Sequence, residues 1–372
     1  GRGRGRGDKR AELEQAADRK VNMRALEGAG FDHLYGIAPV LNALTANTRD
    51  FADPGKALAD RLDMIDDETI VEEEKQQARK PEAQFAPWLF LQEDSAGGSK
   101  RSHSKVMAAR TIERLATDMG IPVARVDKGV LNALSGMRPH QGFILRCGSL
   151  QFPSIDEQGL PNPAVAATST PNLWLALDEI VDPQNLGALL RSAYFIGGDG
   201  GQQQHARIGV IVTSRNSSPP TPIVSAASAG ALELMMCSRQ HDNDNADANS
   251  STSSSLVYST GNMSRLLNTA KEEGWRVLGA AAESPNDIND EHQQQCFDLQ
   301  NISGNTPTIL VLGSEGSGLR RLVAKACTDF VRIPGGVTTG TAAGVDSLNV
   351  SVTGGILLWH LAQNQNTNDV ST

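Results

Sequence analysis

The 372-residue sequence predicts an α/β protein of two units, a small mixed layer domain followed by a larger, mostly parallel sheet covered by helices on both faces. Three observations predict it. Apolar runs of strand length alternate with stretches of helical periodicity from Phe31 to residue 363. The length suggests two cores. Residues 151–171 set Pro153, Pro161, Pro163 and Pro171 among Ser, Thr, Asn and Gly, which cannot hold a regular helix and reads as a linker.

The first unit, residues 31–150, opens with FDHLYGIAPVLNAL, a strand or turn running into a helix with Ile37, Val40, Leu41 and Leu44 at helical spacing. From Asp53 to Asp94 there are twelve Asp/Glu against five Lys/Arg, so about residues 53–94 read as an acidic insert. SKVMAARTIERLATDMG puts Val106, Ala109, Ile112 and Leu115 on one helical face, and Gly120 stops it. IPVARVD then reads as a strand, VLNALSG as a short helix and HQGFILRC as a strand.

The second unit, residues 172–363, begins with the apolar strand LWLALDE. The helix NLGALLRSAYFIG follows, its start marked by Asp182, Pro183 and Asn185. RIGVIVT is a strand and RNSSPPTPIVSAASAGALEL follows it; QHDNDNADANSSTSSS, about residues 240–255, is a polar, solvent-exposed loop. Strands RVLGAAA and PTILVLG, a helix after Gly318 and a long helix from Ser347 to Ala362 complete the alternation. These physical rules alone favour an unknotted, doubly wound arrangement.

A net charge of −9 looks wrong for a nucleic-acid partner until it is resolved along the chain. Residues 95–150 hold nine Lys/Arg against three Asp/Glu, and residues 1–30 hold eight against five, so basic stretches flank the acidic insert. Residues 1–30 read as a disordered basic tail. Their GRGRGRG start is either a single-strand RNA adhesive or the remnant of a presequence. Residues 364–372 read as a disordered tail. No apolar run approaches the ~18 residues of a membrane span, which predicts a soluble protein with no membrane partner. Cys147, Cys237, Cys296 and Cys327 lack any Cys-x-x-Cys spacing, which argues against zinc and for reduced thiols.

Three segments join apolar runs to polar residues with chemical uses: LDEIVDPQNLGALLRSA from Leu177, LVLGSEGSGL from Leu310 and DSLNVSV from Asp346. In the first, Asn185 and Arg191 are six residues apart and do not share a helical face. An N-cap position for Asn185 would free Arg191 to project toward a ligand, the plain alternative for Arg191 being a surface ion pair. In the second, Gly313, Glu315, Gly316 and Gly318 follow a strand, where glycine permits a tight turn and close backbone approach. The glycine order is not that of a dinucleotide fingerprint, and a P-loop would need Gly-Lys-Ser/Thr. Glu315 can equally cap the next helix. In the third, Leu348, Val352, Ile356 and Trp359 share a face, which reads as a buried helix, with Ser347 and Asn349 at its start. Arg215 and Asn216 follow a strand end, where α/β sheets place ligands. Ser225, Ser228 and Glu233 either support that segment or are helix-surface residues. His140 reads as a turn residue.

Taken together, the three segments resemble the three motifs of the SPOUT superfamily of knotted RNA methyltransferases, in the branch that methylates a ribose 2′-hydroxyl. LYGIAPVLNAL and RPHQGFIL also resemble the ends of the ribosomal-protein-like RNA-binding domain that precedes the knotted domain in many ribose methyltransferases. The resemblance implies a trefoil-knotted C-terminal SPOUT domain, S-adenosyl-L-methionine as cofactor, no metal and a homodimer that completes the site. It implies ribosomal RNA as partner, with a guanosine of the mitochondrial large subunit as target and a mitochondrial location. The alternatives are a transfer-RNA ribose methylase and a catalytically idle, RNA-binding assembly factor. Carried over residue by residue, it implies a catalytic group of Asn185, Arg191, Glu315, Ser347 and Asn349. It implies cofactor contacts at Leu312, Gly313, Ser314, Gly316, Ile333 and Leu348, and substrate contacts at Arg215 and Asn216. Ser314 departs from the Asn that many relatives carry.

Overall fold

A computed structural model describes residues 31–51, 87–93, 103–164, 171–198, 207–236, 255–281, 294–303, 306–335 and 347–365. The expected N-terminal tail, most of the acidic insert and most of the polar loop at 240–255 lie outside these residues. The chain divides into two compact units, Gly1–Leu150 and Gln151–Thr372.

In the first unit, β1 (Phe31–Tyr35), α1 (Ile37–Ala46), β2 (Trp88–Gln92), α2 (His103–Asp118), β3 (Val123–Val126), α3 (Lys128–Leu134) and β4 (Phe143–Gly148) build a sheet of order β1-β4-β2-β3. Leu34, Leu89, Leu91 and Leu145 pack from the strands against Val40 and Leu44 of α1 and Ile112 and Ala116 of α2. The period of each segment matches the face it buries. β2 lies inside the stretch read as an acidic insert, yet it pairs with both β4 and β3. Its WLFLQ alternates half-buried and buried residues, a period that a charge count over forty-odd residues averages away.

The second unit begins with the segment read as a linker, which is docked rather than free. Ile155 and Leu160 belong to its core, and Ser259 N–H donates to the Pro153 carbonyl. Its elements are β5 (Leu173–Leu177), α4 (Pro183–Gly197), β6 (Ile208–Thr213), α5 (Pro222–Ala227), α6 (Ala231–Met236), β7 (Val257–Thr260) and α7 (Met263–Glu272). β8 (Arg276–Ala280), β9 (Cys296–Asp298), β10 (Thr308–Leu312), α8 (Arg321–Ala326), β11 (Asp329–Arg332) and α9 (Val350–Gln365) follow. The strands form one parallel sheet of order β7-β6-β5-β10-β8-β11-β9. Trp174, Ala176, Ile309 and Val311 face Leu266, Leu267 and Ala270 of α7 and Val323 of α8. Strands buried on both faces read as unbroken apolar runs, as LWLAL and TILVL do.

α4 and α9 pack closely. A side chain at Gly354 would overlap Leu189, and one at Gly187 would sit 2.9 Å from the Val224 carbonyl of α5. The face of α9 read as buried turns outward: Leu348, Val352, Ile356 and Trp359 are 50%, 48%, 38% and 53% exposed, while Leu357, Leu358 and Leu361 fill the core. α9 therefore carries apolar residues on two faces, and periodicity does not say which one meets the sheet; Phe195 of α4 is also 81% exposed. None of the described helices is long and apolar enough to cross a membrane.

Candidate active site

Asn185, Glu315 and Asn349, one from each motif, come from segments far apart in sequence and meet at the carboxyl ends of the central parallel strands; no hydrogen bond or ion pair joins Arg191 to them among the described residues. Asp182, rather than Asn185, caps α4: its carboxylate accepts the Gln184 N–H and Pro183 opens the first turn. Asn185 is the third residue of the helix, within its first turn, and is buried. Its Nδ2 donates to Glu315 Oε1 at 2.9 Å, and its Oδ1 accepts from Asn349 Nδ2 at 3.1 Å. Asn349 Nδ2 also donates to Glu315 Oε1, and the Val350 N–H approaches the same oxygen at 3.4 Å. Glu315 thus binds the start of α9 rather than capping α8, the plain alternative for it. One carboxylate oxygen is held by two amides; no partner of Oε2 is found among the described residues.

Glu315 lies on a turn whose neck is closed by backbone alone. Ser314 N–H donates to the Gly318 carbonyl at 3.1 Å, and Gly318 N–H to the Ser314 carbonyl at 2.9 Å. A side chain at Gly313 would overlap Gly318 and Leu319, and Gly318 has a φ of 66°, open to glycine and costly for other residues. At Gly316 a side chain would meet nothing within 4 Å, so that backbone faces open space. Leu312 is 1% exposed, reaches toward Gly354, and its carbonyl accepts the Asp178 N–H. Ile333, just beyond β11, is half-buried and Leu348 is exposed.

Arg191 projects from α4 and is exposed, with no ion pair among the described residues, neither to Glu315 nor to a surface carboxylate. Ser347 is exposed two residues before Asn349. Arg215 is exposed, and Asn216 sits in the left-handed region at φ 54° with its amide donating to Glu179 Oε1 at 3.1 Å. Ser225, Ser228 and Glu233 are 0%, 1% and 0% exposed, which removes the helix-surface reading. Ser225 Oγ donates to Glu233 Oε1, fixing the α5–α6 corner. His140 accepts the Gly142 N–H at Nδ1 and meets Asn132 Oδ1 through Nε2, so it shapes its own turn.

A second polar group was missed in the sequence. Asp178, directly after β5, is 1% exposed and accepts a fork of hydrogen bonds from Arg320. A carboxylate ending an apolar strand was the available signal; its partner lies 142 residues away. Among the described residues no group of three His, Cys, Asp or Glu could hold a metal.

The chain matches two family models: the SpoU rRNA methylase family over residues 221–359, and RNA 2′-O ribose methyltransferase substrate binding over residues 99–153. Curated relatives include proteins called rRNA methyltransferase 1, mitochondrial. The Dictyostelium discoideum protein is 33% identical over 68% of this chain and 44% of its own length. The Schizosaccharomyces pombe protein is 32% identical over 65% and 74%, and the human protein 34% identical over 66% and 60%. The chain thus spans less than half of the first of these. Among solved structures, an AdoMet-bound rRNA methyltransferase from Sinorhizobium meliloti superposes with a TM-score of 0.54 at 15% identity, covering 94% of both chains. A SpoU methyltransferase from Streptomyces viridochromogenes in complex with AdoMet gives 0.53 at 16%, covering 95% of this chain and 98% of that one. At these identities the two structures establish a shared fold.

Proposed function

The chain belongs to the SpoU rRNA methylase family, and on that premise we propose that it methylates a ribose 2′-hydroxyl of ribosomal RNA with S-adenosyl-L-methionine. One observation carries this reading: Asn185 and Asn349, from two of the motifs, converge on the Glu315 carboxylate of the other motif at the edge where parallel sheets place ligands. The relatives' names support a mitochondrial location; a guanosine of the large-subunit RNA is the target that the motif resemblance implies.

The residues present fit the cofactor. Backbone at Gly316 faces open space, and Leu348, just before α9, and Ile333, just after β11, leave apolar surface uncovered. These three, with the backbone of Gly313 and Ser314, would hold S-adenosylmethionine. Bound there, the cofactor would supply a sulfonium methyl for the ribose oxygen and would be left as a thioether, the hydroxyl proton going to solvent or RNA phosphate.

The chain's own task is to orient the acceptor. A guanidinium stays protonated, so Arg191 acts as a donor and phosphate anchor rather than a base. Glu315, held at Oε1 by two amides, keeps Oε2 as an acceptor for a ligand hydroxyl or amine. Ser347 and Asn349 line the same edge from the start of α9, while Arg215 meets substrate from the β6 edge and Asn216 shapes that loop. Holding reactants in this way supplies much of a displacement's acceleration without a metal.

In the first unit, Trp88 and Phe90 stack with ring centroids 6.2 Å apart, and the Arg146 guanidinium lies 5.3 Å over the Phe90 ring. Half-buried aromatic rings beside a cation suit unpaired bases, which supports RNA binding by residues 31–150. The outward stripe of Val352, Ile356 and Trp359, together with the exposed Phe195 of α4, supports a homodimer through the second unit. The same family membership supports the knotted form of that unit.

Ribose-methylation mapping of RNA from cells lacking the protein tests the reading. Loss of one 2′-O-methyl group from large-subunit ribosomal RNA, restored by the gene, is expected. An unchanged ribosomal map contradicts it, and a lost transfer-RNA methyl would reassign the substrate.

A further inference from the structure

We infer that Arg320 is a positioning residue for Glu315: closed on Asp178 and Glu179, its guanidinium fixes the base of the turn that carries the Glu315 carboxylate. The inference rests on the role proposed for Glu315 and extends it to groups that touch neither ligand.

Asp178 stands at the end of β5 with its side chain fully buried. Its carboxylate accepts Arg320 Nε and Nη2 at 2.9 and 2.5 Å, and the Arg320 backbone N–H at 3.2 Å. Its own N–H donates to the Leu312 carbonyl at 2.8 Å, so one residue joins β5, the end of β10 and the residue that leaves the glycine turn. Glu315 is therefore confined between two fixed points, the Leu312–Gly313 end and Arg320. A planar fork fixes direction as well as distance, which a single ammonium would not.

A third loop enters through Glu179. This residue holds a φ of 59°, a conformation that side chains other than glycine rarely adopt. Its N–H donates to Thr213 Oγ1 at 3.0 Å, and its carboxylate takes Asn216 Nδ2 at 3.1 Å and Arg320 Nη1 at 3.3 Å. The loops after β5, β6 and β10 are thus tied by a single guanidinium. Hydrogen bonding to Asp178 raises the Arg320 pKa, so the tie stays charged through the neutral range. Arg320 itself is 46% exposed at the side chain, at the rim of the sheet and outside its core. That placement is one reason to expect its loss to be felt at the site before it is felt in folding.

A double-mutant cycle in single turnover, at saturating S-adenosylmethionine with a ribosomal RNA transcript, tests this. Arg320→Gln alone should slow methyl transfer by about tenfold or more, and should add less than about twofold on a Glu315→Gln background, because residues acting through one group are not additive. Arg320→Lys, which keeps the charge without the fork, should recover part of the loss and show the same coupling. If Arg320→Gln melts the fold, the charge-balanced pair Asp178→Asn/Arg320→Gln and the Lys variant carry the cycle. Independent, multiplying losses would overturn the positioning role while leaving Glu315 in place. Undiminished turnover in Glu315→Gln alone would remove both, and would locate the error in the role given to Glu315.

Discussion

In the first unit, Arg49 and Asp32 meet at 2.6 Å with side chains 0% and 10% exposed, and His33 accepts the Arg146 Nε–H at 3.0 Å within the sheet. In the second, Glu315 is fixed by two amides yet stays exposed, and Arg191 has no ion pair among the described residues. Both sets are ordered by hydrogen bonds. The first closes on itself, which specifies a fold; the second leaves one side of each charge open, which makes a site. Removing a residue of the closed set should cost stability, and removing one of the open set should cost chemistry.

The largest expected break in that contrast is Arg49→Ala. It strands a buried Asp32 carboxylate and should destabilise the first unit by about 3–5 kcal/mol, read from chemical denaturation. S-adenosylmethionine binding by the second unit should survive; loss of that binding at temperatures where the first unit is folded would deny the separation. Next is Ile356→Glu, a charge on the outward face of α9. Light scattering should show a dimer become a monomer, with little change in the melting of the second unit. A parent protein that is already monomeric would contradict the dimer.

A further break is a pH dependence confined to the first unit. Burial, with Arg146 nearby, lowers the His33 pKa from 6.5 to about 3, so the imidazole is neutral when folded. The unfolded chain binds the proton first. His33 therefore contributes full stability above about pH 6.5, and that contribution is lost as pH falls toward 3, by at most about 1.4 kcal/mol per unit. A urea midpoint series across that window should slope down with falling pH, and His33→Gln should flatten it. An unchanged slope would show that His33 is not the group responsible.

The same contrast explains what could be read in the sequence. Strands buried on both faces, such as LWLAL and TILVL, announce themselves as apolar runs, and Asn185, Glu315 and Asn349 stood out because polar residues punctuate apolar segments. Short strands such as Val257–Thr260 and Cys296–Asp298 carry mixed residues and are defined by their neighbours in the sheet, so no local pattern marks them. β2 was hidden in an acidic window for a related reason: charge is a regional average, whereas a strand needs only five residues. The outward face of α9 shows a third limit. Periodicity finds a stripe, but only Gly354 and Leu357, packed inward, say which stripe the core takes. The Asp178–Arg320 pair was out of reach because its partners are brought together by a sheet order that no single segment encodes.

The central claim, that the open edge of the second unit performs ribose methylation, is tested most directly by following a labelled methyl group from S-adenosylmethionine to a ribosomal RNA transcript, with purified parent protein and Arg191→Ala side by side. The account predicts label on a ribose 2′-oxygen with the parent protein, and a loss of about 10²–10³-fold with the variant at nearly unchanged cofactor affinity. Label on a base, or full turnover by Arg191→Ala, would contradict it.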